Sequence, residues 1–125
     1  MHLDHINIRS SKELLEKTKD FYCFILKLRE GYRPDFPRNG FWLYANDKPV
    51  VHLSESDEYQ QTEQTGCFDH AAFQVDELKE IINRLEELGV EYQTNHIQGI
   101  SMSQVFFRDP TGIRIEVNCF ISPEN

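Results

Sequence analysis

Positive charge, paired cysteines and long apolar stretches are all scarce in this sequence. Its 125 residues contain 13 lysines and arginines against 21 aspartates and glutamates, which gives a net charge of −8. Because nucleic acids and anionic membranes are bound by clustered cations, this balance argues against both as partners. No stretch resembles a signal peptide or a membrane-spanning segment, so no insertion into a membrane is expected.

The cysteines are too few and too irregular to suggest a disulfide framework. There are three of them, Cys23, Cys67 and Cys119, and their spacing shows no pairs. An odd, unpaired set is typical of a reduced, cytoplasmic protein. Each lies among apolar neighbours in the sequence, so we expect each to be a small core residue rather than a nucleophile.

The length suits one ordinary domain, 1–125, and the aromatic residues can fill its core. Only 39% of the residues are apolar, a little below the usual share. Aromatic residues nevertheless make up 12%, with nine phenylalanines and five tyrosines. We therefore expect a folded α+β domain with enough bulk to bury a core.

An internal repeat organises the whole chain. His5 lies in an alternating segment near the start, and His52 follows it by 47 positions. His70 lies in a similar segment, and Glu116 follows it by 46 positions. Each half therefore carries two potential metal ligands, one on its first predicted strand and one on its last. If the halves pair with approximate two-fold symmetry, all four side chains can converge on one point.

Each half is predicted to be a β-α-β-β-β module. The modules span about 1–54 and 67–120, and the polar segment 55–66 is expected to be the linker between them. The first helix is predicted to start at Ser10 or Ser11 and to end at Gly31. The second is predicted to be capped by Asp76 and closed by Gly89. The tail, 121–125, is expected to be frayed.

Strand alternation separates an apolar face from a polar face in each module. Ile113, Ile115 and Val117 share one face of the last strand, and similar apolar sets on the other strands should pack on the helices. The opposite face is too polar for a core. Its residues are mostly histidines, amides and other potential ligands rather than the mixed polar residues of a solvated surface, which favours a concave sheet that holds a ligand. It carries His5, Asn7, His52, His70, Gln74, Arg114, Glu116 and Asn118.

Three imidazoles and one carboxylate form a plausible donor set for a divalent metal. A single histidine on a strand is more often a hydrogen-bonding residue than a ligand, but four positions related by a repeat favour a metal site. Such nitrogen and oxygen donors suit Zn, Ni, Co, Mn or Fe(II). The expected ligands are His5, His52, His70 and Glu116.

Several segments resemble the vicinal oxygen chelate superfamily, which includes glyoxalase I, the bleomycin and fosfomycin resistance proteins, methylmalonyl-CoA epimerase and the extradiol dioxygenases. The resemblance covers essentially the whole chain, and its most specific part has the pattern Asp-Pro-x-Gly-x-x-Ile-Glu. The segments are Leu3-Asp4-His5-Ile6, Phe21-Tyr22, Phe68-Asp69-His70-Ala71 and Asp109-Pro110-Thr111-Gly112-Ile113-Arg114-Ile115-Glu116. It implies two β-α-β-β-β modules that form a curved mixed sheet around a central site.

The resemblance also implies roles for particular residues. His5, His70 and Glu116 match the three-ligand pattern of the fosfomycin-resistance branch. His52 occupies the fourth slot, which holds Glu or Gln in glyoxalase I and the epimerase and takes part in proton transfer in glyoxalase I. A histidine can also relay protons, but this departure weakens a direct transfer of the glyoxalase I activity to this chain.

The resulting expectation is a metal-dependent lyase or isomerase of the glyoxalase type. Its metal would chelate two neighbouring oxygens of a small-molecule substrate and stabilise an enediolate-like charge, with Glu116 or His52 as the base. Arg114 is equally compatible with a substrate carboxylate and with a salt bridge to a neighbour. The residues expected to contact substrate are Asn7, Gln74, Arg114 and Asn118.

The sequence is also compatible with two other functions and with two ways of assembling the site. The alternatives are a metal-free binding or resistance protein and an Fe(II) extradiol-type dioxygenase. The site is formed either within one chain or across a homodimer. The resemblance favours the homodimer, with the first pair of ligands from one chain and the second pair from the other.

Overall fold

A computed structural model gives the structure of the protein, and it describes residues 1–58 and 66–120. The chain forms two compact units, Met1–Glu63 and Gln64–Asn125, here called the N-terminal and C-terminal units. Most of the predicted linker and all of the predicted frayed tail lie outside the described residues. Neither helix in the described part is long and apolar enough to cross a membrane.

The N-terminal unit has the predicted β-α-β-β-β order and a four-stranded mixed sheet. The strand order is β1-β4-β3-β2, and β1 runs parallel to β4 while the other pairs are antiparallel. Its elements are β1 (Ile6–Ser10), α1 (Lys12–Ile25), β2 (Arg29–Gly31), β3 (Gly40–Ala45) and β4 (Lys48–Glu55).

The C-terminal unit repeats this topology. Its sheet has the order β5-β8-β7-β6, again with the first and last strands parallel. A short 3-10 turn, Gln98–Ile100, is inserted between the second and third strands. The elements are β5 (Ala71–Gln74), α2 (Lys79–Glu87), β6 (Gln93–Ile97), β7 (Met102–Arg108) and β8 (Arg114–Phe120). The prediction of an α+β fold built from two such modules is confirmed.

The ends of the helices differ from the prediction in two places. Helix α1 is capped by the Ser11 side chain as expected, but it ends at Ile25 rather than at Gly31. Lys27 takes a left-handed φ of 57°, and the chain then turns into β2. Helix α2 starts at Lys79 with no side-chain cap, so Asp76 does not cap it. Gly89, at a φ of 69°, closes α2 as predicted.

The predicted division between apolar and polar faces is correct where burial tests it. Helix α1 packs on its sheet, and Ile8, Val51 and Leu53 are buried. In the C-terminal unit Ile115 and Val117 are fully buried. Two polar side chains that alternate with them, His52 and Glu116, are also largely buried. Buried polar groups require partners, and His52 and Glu116 each have partners within their own unit.

The cysteines are only partly as expected. All three are free thiols. Cys119 is buried and Cys23 is half-buried, but Cys67 is exposed, so its predicted place in a core is wrong. It lies ahead of the start of β5, where the chain is not yet part of the sheet.

The turn before β8 fixes the start of the strand that carries Glu116. The Asp109 carboxylate accepts hydrogen bonds from the Thr111 amide at 2.8 Å, the Thr111 hydroxyl at 2.6 Å and the Ile113 amide at 3.1 Å. Asp109 is only 5% exposed, so these bonds also satisfy a buried charge. The Asp-Pro-x-Gly pattern thus forms the turn that leads into β8.

Two neighbouring positions on β8 should respond differently to substitution. Ile115→Asp should lower the free energy of unfolding by about 4 kcal/mol or more, because it places an unpaired carboxylate in the core. Glu116→Gln, the matched control, retains an oxygen that accepts hydrogen bonds and should leave the metal-free protein folded. The measurement is thermal melting in the absence of metal, and equal losses of melting temperature would contradict the assignment of the two faces.

Candidate metal centre

Three rings are stacked on the polar face of the N-terminal sheet. Trp42 on β3 lies directly across from His52 on β4, and their ring centroids are 4.1 Å apart with planes 13° apart. The other side of the His52 ring stacks on His5 at 3.7 Å and 11°. His5 immediately precedes β1, the strand parallel to β4. The two predicted ligands of this half are therefore in direct contact.

His52 is held in its neutral form. Burial lowers the pKa of its imidazole, the nearby His5 lowers it further, and a hydrogen bond to the Pro49 carbonyl opposes these effects only in part. His52 Nε2 lies 3.1 Å from that carbonyl oxygen, which can only accept, so Nε2 carries the proton. The lone pair of His52 is consequently on Nδ1.

The ring stacking limits how His5 and His52 can bind a metal. A metal ion bonds an imidazole in the plane of the ring, along the lone pair of the nitrogen. The planes of these two rings are nearly parallel, so their lone pairs do not meet at one point. One ring would have to rotate before both could bind the same ion. A ligand role for His52 stays a prediction that requires this rotation.

The C-terminal unit brings His70 and Glu116 together. His70 precedes β5, and Glu116 lies on the adjacent parallel strand β8. His70 Nε2 is 3.0 Å from Glu116 Oε1. Two ligand atoms that each lie about 2.1 Å from one ion, at right angles, would be about 3.0 Å apart. The spacing of this pair thus suits adjacent positions in a coordination sphere.

Amide side chains hold the Glu116 carboxylate. Asn118 Nδ2 and Gln104 Nε2 donate to its Oε2 at 2.8 Å and 3.1 Å, and Asn95 Nδ2 donates to Gln104 at 2.9 Å. Burial alone would raise the pKa of Glu116, but the hydrogen bonds from Asn118 and Gln104 and the nearby His70 outweigh it and lower the pKa. The ionised carboxylate therefore keeps Oε1 directed at His70.

An aspartate orients each of the two histidines that precede a first strand. His5 Nδ1 is 2.7 Å from the Asp4 carboxylate, and His70 Nδ1 is 2.6 Å from the Asp69 carboxylate. In each case the hydrogen bond to the histidine is the main cause that lowers the pKa of the aspartate. An ionised carboxylate can only accept, so Nδ1 carries a proton in both histidines. Nε2 of His70 faces a second carboxylate, that of Glu116, and a metal ion would replace this hydrogen bond. Metal-binding histidines commonly have such a carboxylate partner.

The residues predicted to contact substrate lie in different surroundings. Asn7 accepts a hydrogen bond from the Ser54 hydroxyl at 2.9 Å, and Asn118 donates to Glu116. Gln74 is aligned with Asn118 on the neighbouring strand. Arg114 donates to Asp69 at 2.7 Å, and its guanidinium lies 4.2 Å from the centre of the Phe106 ring. Of its two expected roles, the structure therefore shows the salt bridge to a neighbour.

The candidate ligands occur as two pairs, one in each unit. Within residues 1–58 and 66–120 no group of three or more histidine, cysteine or acidic side chains forms a metal cluster. The donor chemistry nevertheless fits a divalent ion, because an aspartate binds Nδ1 of His5 and of His70, which leaves Nε2 as the metal-binding nitrogen, and because Glu116 is ionised. His5 in the N-terminal unit and the His70–Glu116 pair in the C-terminal unit are here called the two candidate half-sites.

The sequence analysis did not identify the partners of the ligands. Asp4 and Asp69 belong to the family pattern, which does not indicate their role, and Gln104 lies outside that pattern. The signal for the aspartates was present, because the dipeptide Asp-His occurs in each half, at Asp4-His5 and Asp69-His70. Gln104 could be recognised only from the pairing of β7 with β8, which aligns it with Asn118.

Comparisons with known proteins agree with this repeated architecture. The chain is 26% identical over 124 residues to Glyoxylase I 4 of Arabidopsis thaliana, covering 94% of this chain and 70% of that protein. It is 27% identical over 124 residues to lactoylglutathione lyase of Neisseria meningitidis, covering 93% and 88%. A mutant of the fosfomycin resistance protein FosX of Listeria monocytogenes, complexed with Mn(II) and 1S,2S-dihydroxypropylphosphonic acid, has the same fold, with a TM-score of 0.73, 21% identity and coverage of 96% and 92%.

A sequence model of one family spans nearly the whole chain. The match covers residues 2–117 and so includes both units and all four candidate ligands. The protein belongs to the Glyoxalase/Bleomycin resistance protein/Dioxygenase superfamily.

Proposed function

We propose that the protein is a metal-dependent enzyme of the glyoxalase type that acts on a small molecule with two neighbouring oxygen atoms. His5, His70 and Glu116 would bind one divalent ion, which is Zn, Ni, Co, Mn or Fe(II). The main support is the repeated Asp–His pair, which makes Nε2 the metal-binding nitrogen in both units, together with the ionised Glu116 carboxylate beside His70. Such an ion acts as a Lewis acid on substrate oxygens.

The relatives support this choice of chemistry. The Listeria FosX structure is a complex with Mn(II) and a compound whose name places two hydroxyl groups on neighbouring carbons. The Neisseria relative is a lactoylglutathione lyase. In this chain His5 and His70 lie at matching points of the two units, and Glu116 lies beside His70, so the same class of substrate is the natural assignment.

His52 is proposed as the general base. Its neutral ring has a lone pair on Nδ1, and Trp42 and His5 hold the ring from both sides. A base of this kind takes a proton from the carbon next to the substrate oxygens. Glu116 is the second candidate for this role, but its carboxylate is held by Asn118, Gln104 and His70. Asn7, Gln74, Arg114 and Asn118 are proposed to surround the substrate.

The two half-sites are proposed to meet across a homodimer. In this arrangement His5 and His52 of one chain complete the site of His70 and Glu116 in the other. The dimer would have two equivalent sites in an extensive interface. The three free thiols favour a reducing, cytoplasmic setting for this assembly.

Metal affinity should depend on the residues of both units. His5→Ala and Glu116→Gln should abolish tight binding, and Asp69→Asn should weaken it about 10- to 100-fold because it removes the partner of His70. Glu87→Gln, which makes the same change of charge on an exposed residue of α2, should have no effect. The measurement is calorimetric titration with Mn(II) of tag-free protein after removal of bound metal. Unchanged affinity in His5→Ala would show that His5 is not a ligand.

Mixed dimers distinguish a shared site from a site within one chain. His5→Ala and Glu116→Ala chains are unfolded together and refolded, and each variant refolded alone is the control. If the sites are shared, both defects fall in one site of the mixed dimer and the other is intact, so about a quarter of all sites regain metal binding. If mixed dimers form and no binding returns, the shared arrangement is wrong.

A further inference from the structure

The N-terminal unit contains a cavity of about 400 Å³ beside the stacked rings. All of its lining residues come from this unit, and His52 and Trp42 form part of its wall. Asn7 lines the cavity from β1, and Arg33, Phe36 and Arg38 line it from the segment between β2 and β3. The cavity is therefore bordered by the proposed base and by two cations.

Arg33 has no anionic partner in the part of the chain that the structure describes. Its Nε is buried and makes no hydrogen bond. Its guanidinium lies 4.9 Å from the centre of the Phe36 ring, and this is a contact with an aromatic face rather than with a carboxylate. Asp35 and Glu55 line a neighbouring hollow with Arg33, but neither forms a salt bridge with it. A partly buried, unpaired guanidinium is costly unless a ligand supplies the missing charge.

The segment that carries Arg33 is held in place without a ligand. The Tyr44 hydroxyl donates to the Tyr32 carbonyl at 2.6 Å, directly before Arg33. Gly40 allows the guanidinium to lie close to β3, because a Cβ there would be 2.9 Å from Arg33 Nη2. A cation fixed in advance loses little conformational freedom when it binds an anion.

The remaining walls are flat and apolar. The Phe36 and Trp42 rings are 6.1 Å apart at 44°, and Trp42 is also stacked on His52. Asn7 uses its side-chain oxygen to accept from Ser54, which leaves its amide N–H groups for a ligand. The cavity thus combines aromatic surfaces, an unpaired cation and an amide donor.

We propose that this cavity binds the carboxylate of a small substrate that has a flat apolar group next to the charge. Arg33 pairs with the carboxylate oxygens in a bidentate manner, and Phe36 and Trp42 contact the apolar group. This assignment rests on the proposed function for its place in catalysis, because His52 joins the cavity to the site. It identifies the substrate as an anion, although the chain itself has a net charge of −8.

Trp42 makes the cavity directly observable. It is the single tryptophan of the chain, so the intrinsic tryptophan fluorescence comes from the wall of this cavity. Metal-free protein is titrated with benzoate and with benzamide, which have nearly the same shape and differ in charge. We expect saturable quenching by benzoate and at least about tenfold weaker binding of benzamide. Equal affinities, or no saturable quenching by benzoate, would overturn the proposal.

Variants test whether Arg33 is the source of the selectivity. Arg33→Met should weaken benzoate binding about tenfold or more and leave benzamide binding unchanged. Arg29→Met is the matched control, since it removes the same charge from the same unit outside the cavity, and it should bind benzoate like the wild type. Equal losses in both variants would overturn the assignment to Arg33.

Arg33→Lys keeps the positive charge but replaces the planar guanidinium with an ammonium group, so its affinity for benzoate should be intermediate. This variant tests the role of Arg33 if Arg33→Met does not fold. Wild-type affinity for benzoate in Arg33→Lys would overturn the bidentate contact. Calorimetry with Mn(II) on the same samples separates this proposal from the proposed function. Selective benzoate binding without metal binding would refute the proposed metal-dependent enzyme and support the cavity assignment. Metal binding without benzoate selectivity would refute the cavity assignment and leave the proposed enzyme standing.

Discussion

The parallel pairing of the first strand with the last strand is the constraint on which each unit depends. In the N-terminal unit it aligns Asn7 with His52, and in the C-terminal unit it aligns Ala72 with Glu116. The histidine just ahead of each first strand is thereby brought against a residue of the last strand. A parallel pair needs a long crossover connection, and the helix with the two following strands supplies it. The chemistry of both half-sites follows from this topology.

The two half-sites share an architecture but differ in their electrostatics. Both contain a histidine whose Nδ1 is held by the preceding aspartate. In the N-terminal unit the partner is a neutral, stacked His52, whereas in the C-terminal unit it is the ionised Glu116. The N-terminal unit therefore places a neutral imidazole beside His5, and the C-terminal unit places a negative charge beside His70.

Much of the fold could be predicted from the sequence, and so could the placement of His5 beside His52 and of His70 beside Glu116. The repeat interval and the alternation of apolar residues gave the two β-α-β-β-β modules and the buried positions Ile115 and Val117, because these patterns depend only on strand periodicity. The end of α1 was missed, since Lys27 adopts a left-handed conformation that usually favours glycine. The stacking of His5 on His52 and the hydrogen bond from Gln104 to Glu116 arise from side-chain packing across strands, which sequence spacing does not determine.

We propose above that one ion is bound by residues from both units. It is tested most directly by a crystal structure of tag-free protein grown with Zn²⁺, with anomalous diffraction recorded at the zinc edge. We expect one strong anomalous peak per chain, bonded to Nε2 of His5, Nε2 of His70 and the Glu116 carboxylate at about 2.0–2.2 Å. A peak bonded to residues of one unit only, or His5 and Glu116 side chains that point apart, would contradict it.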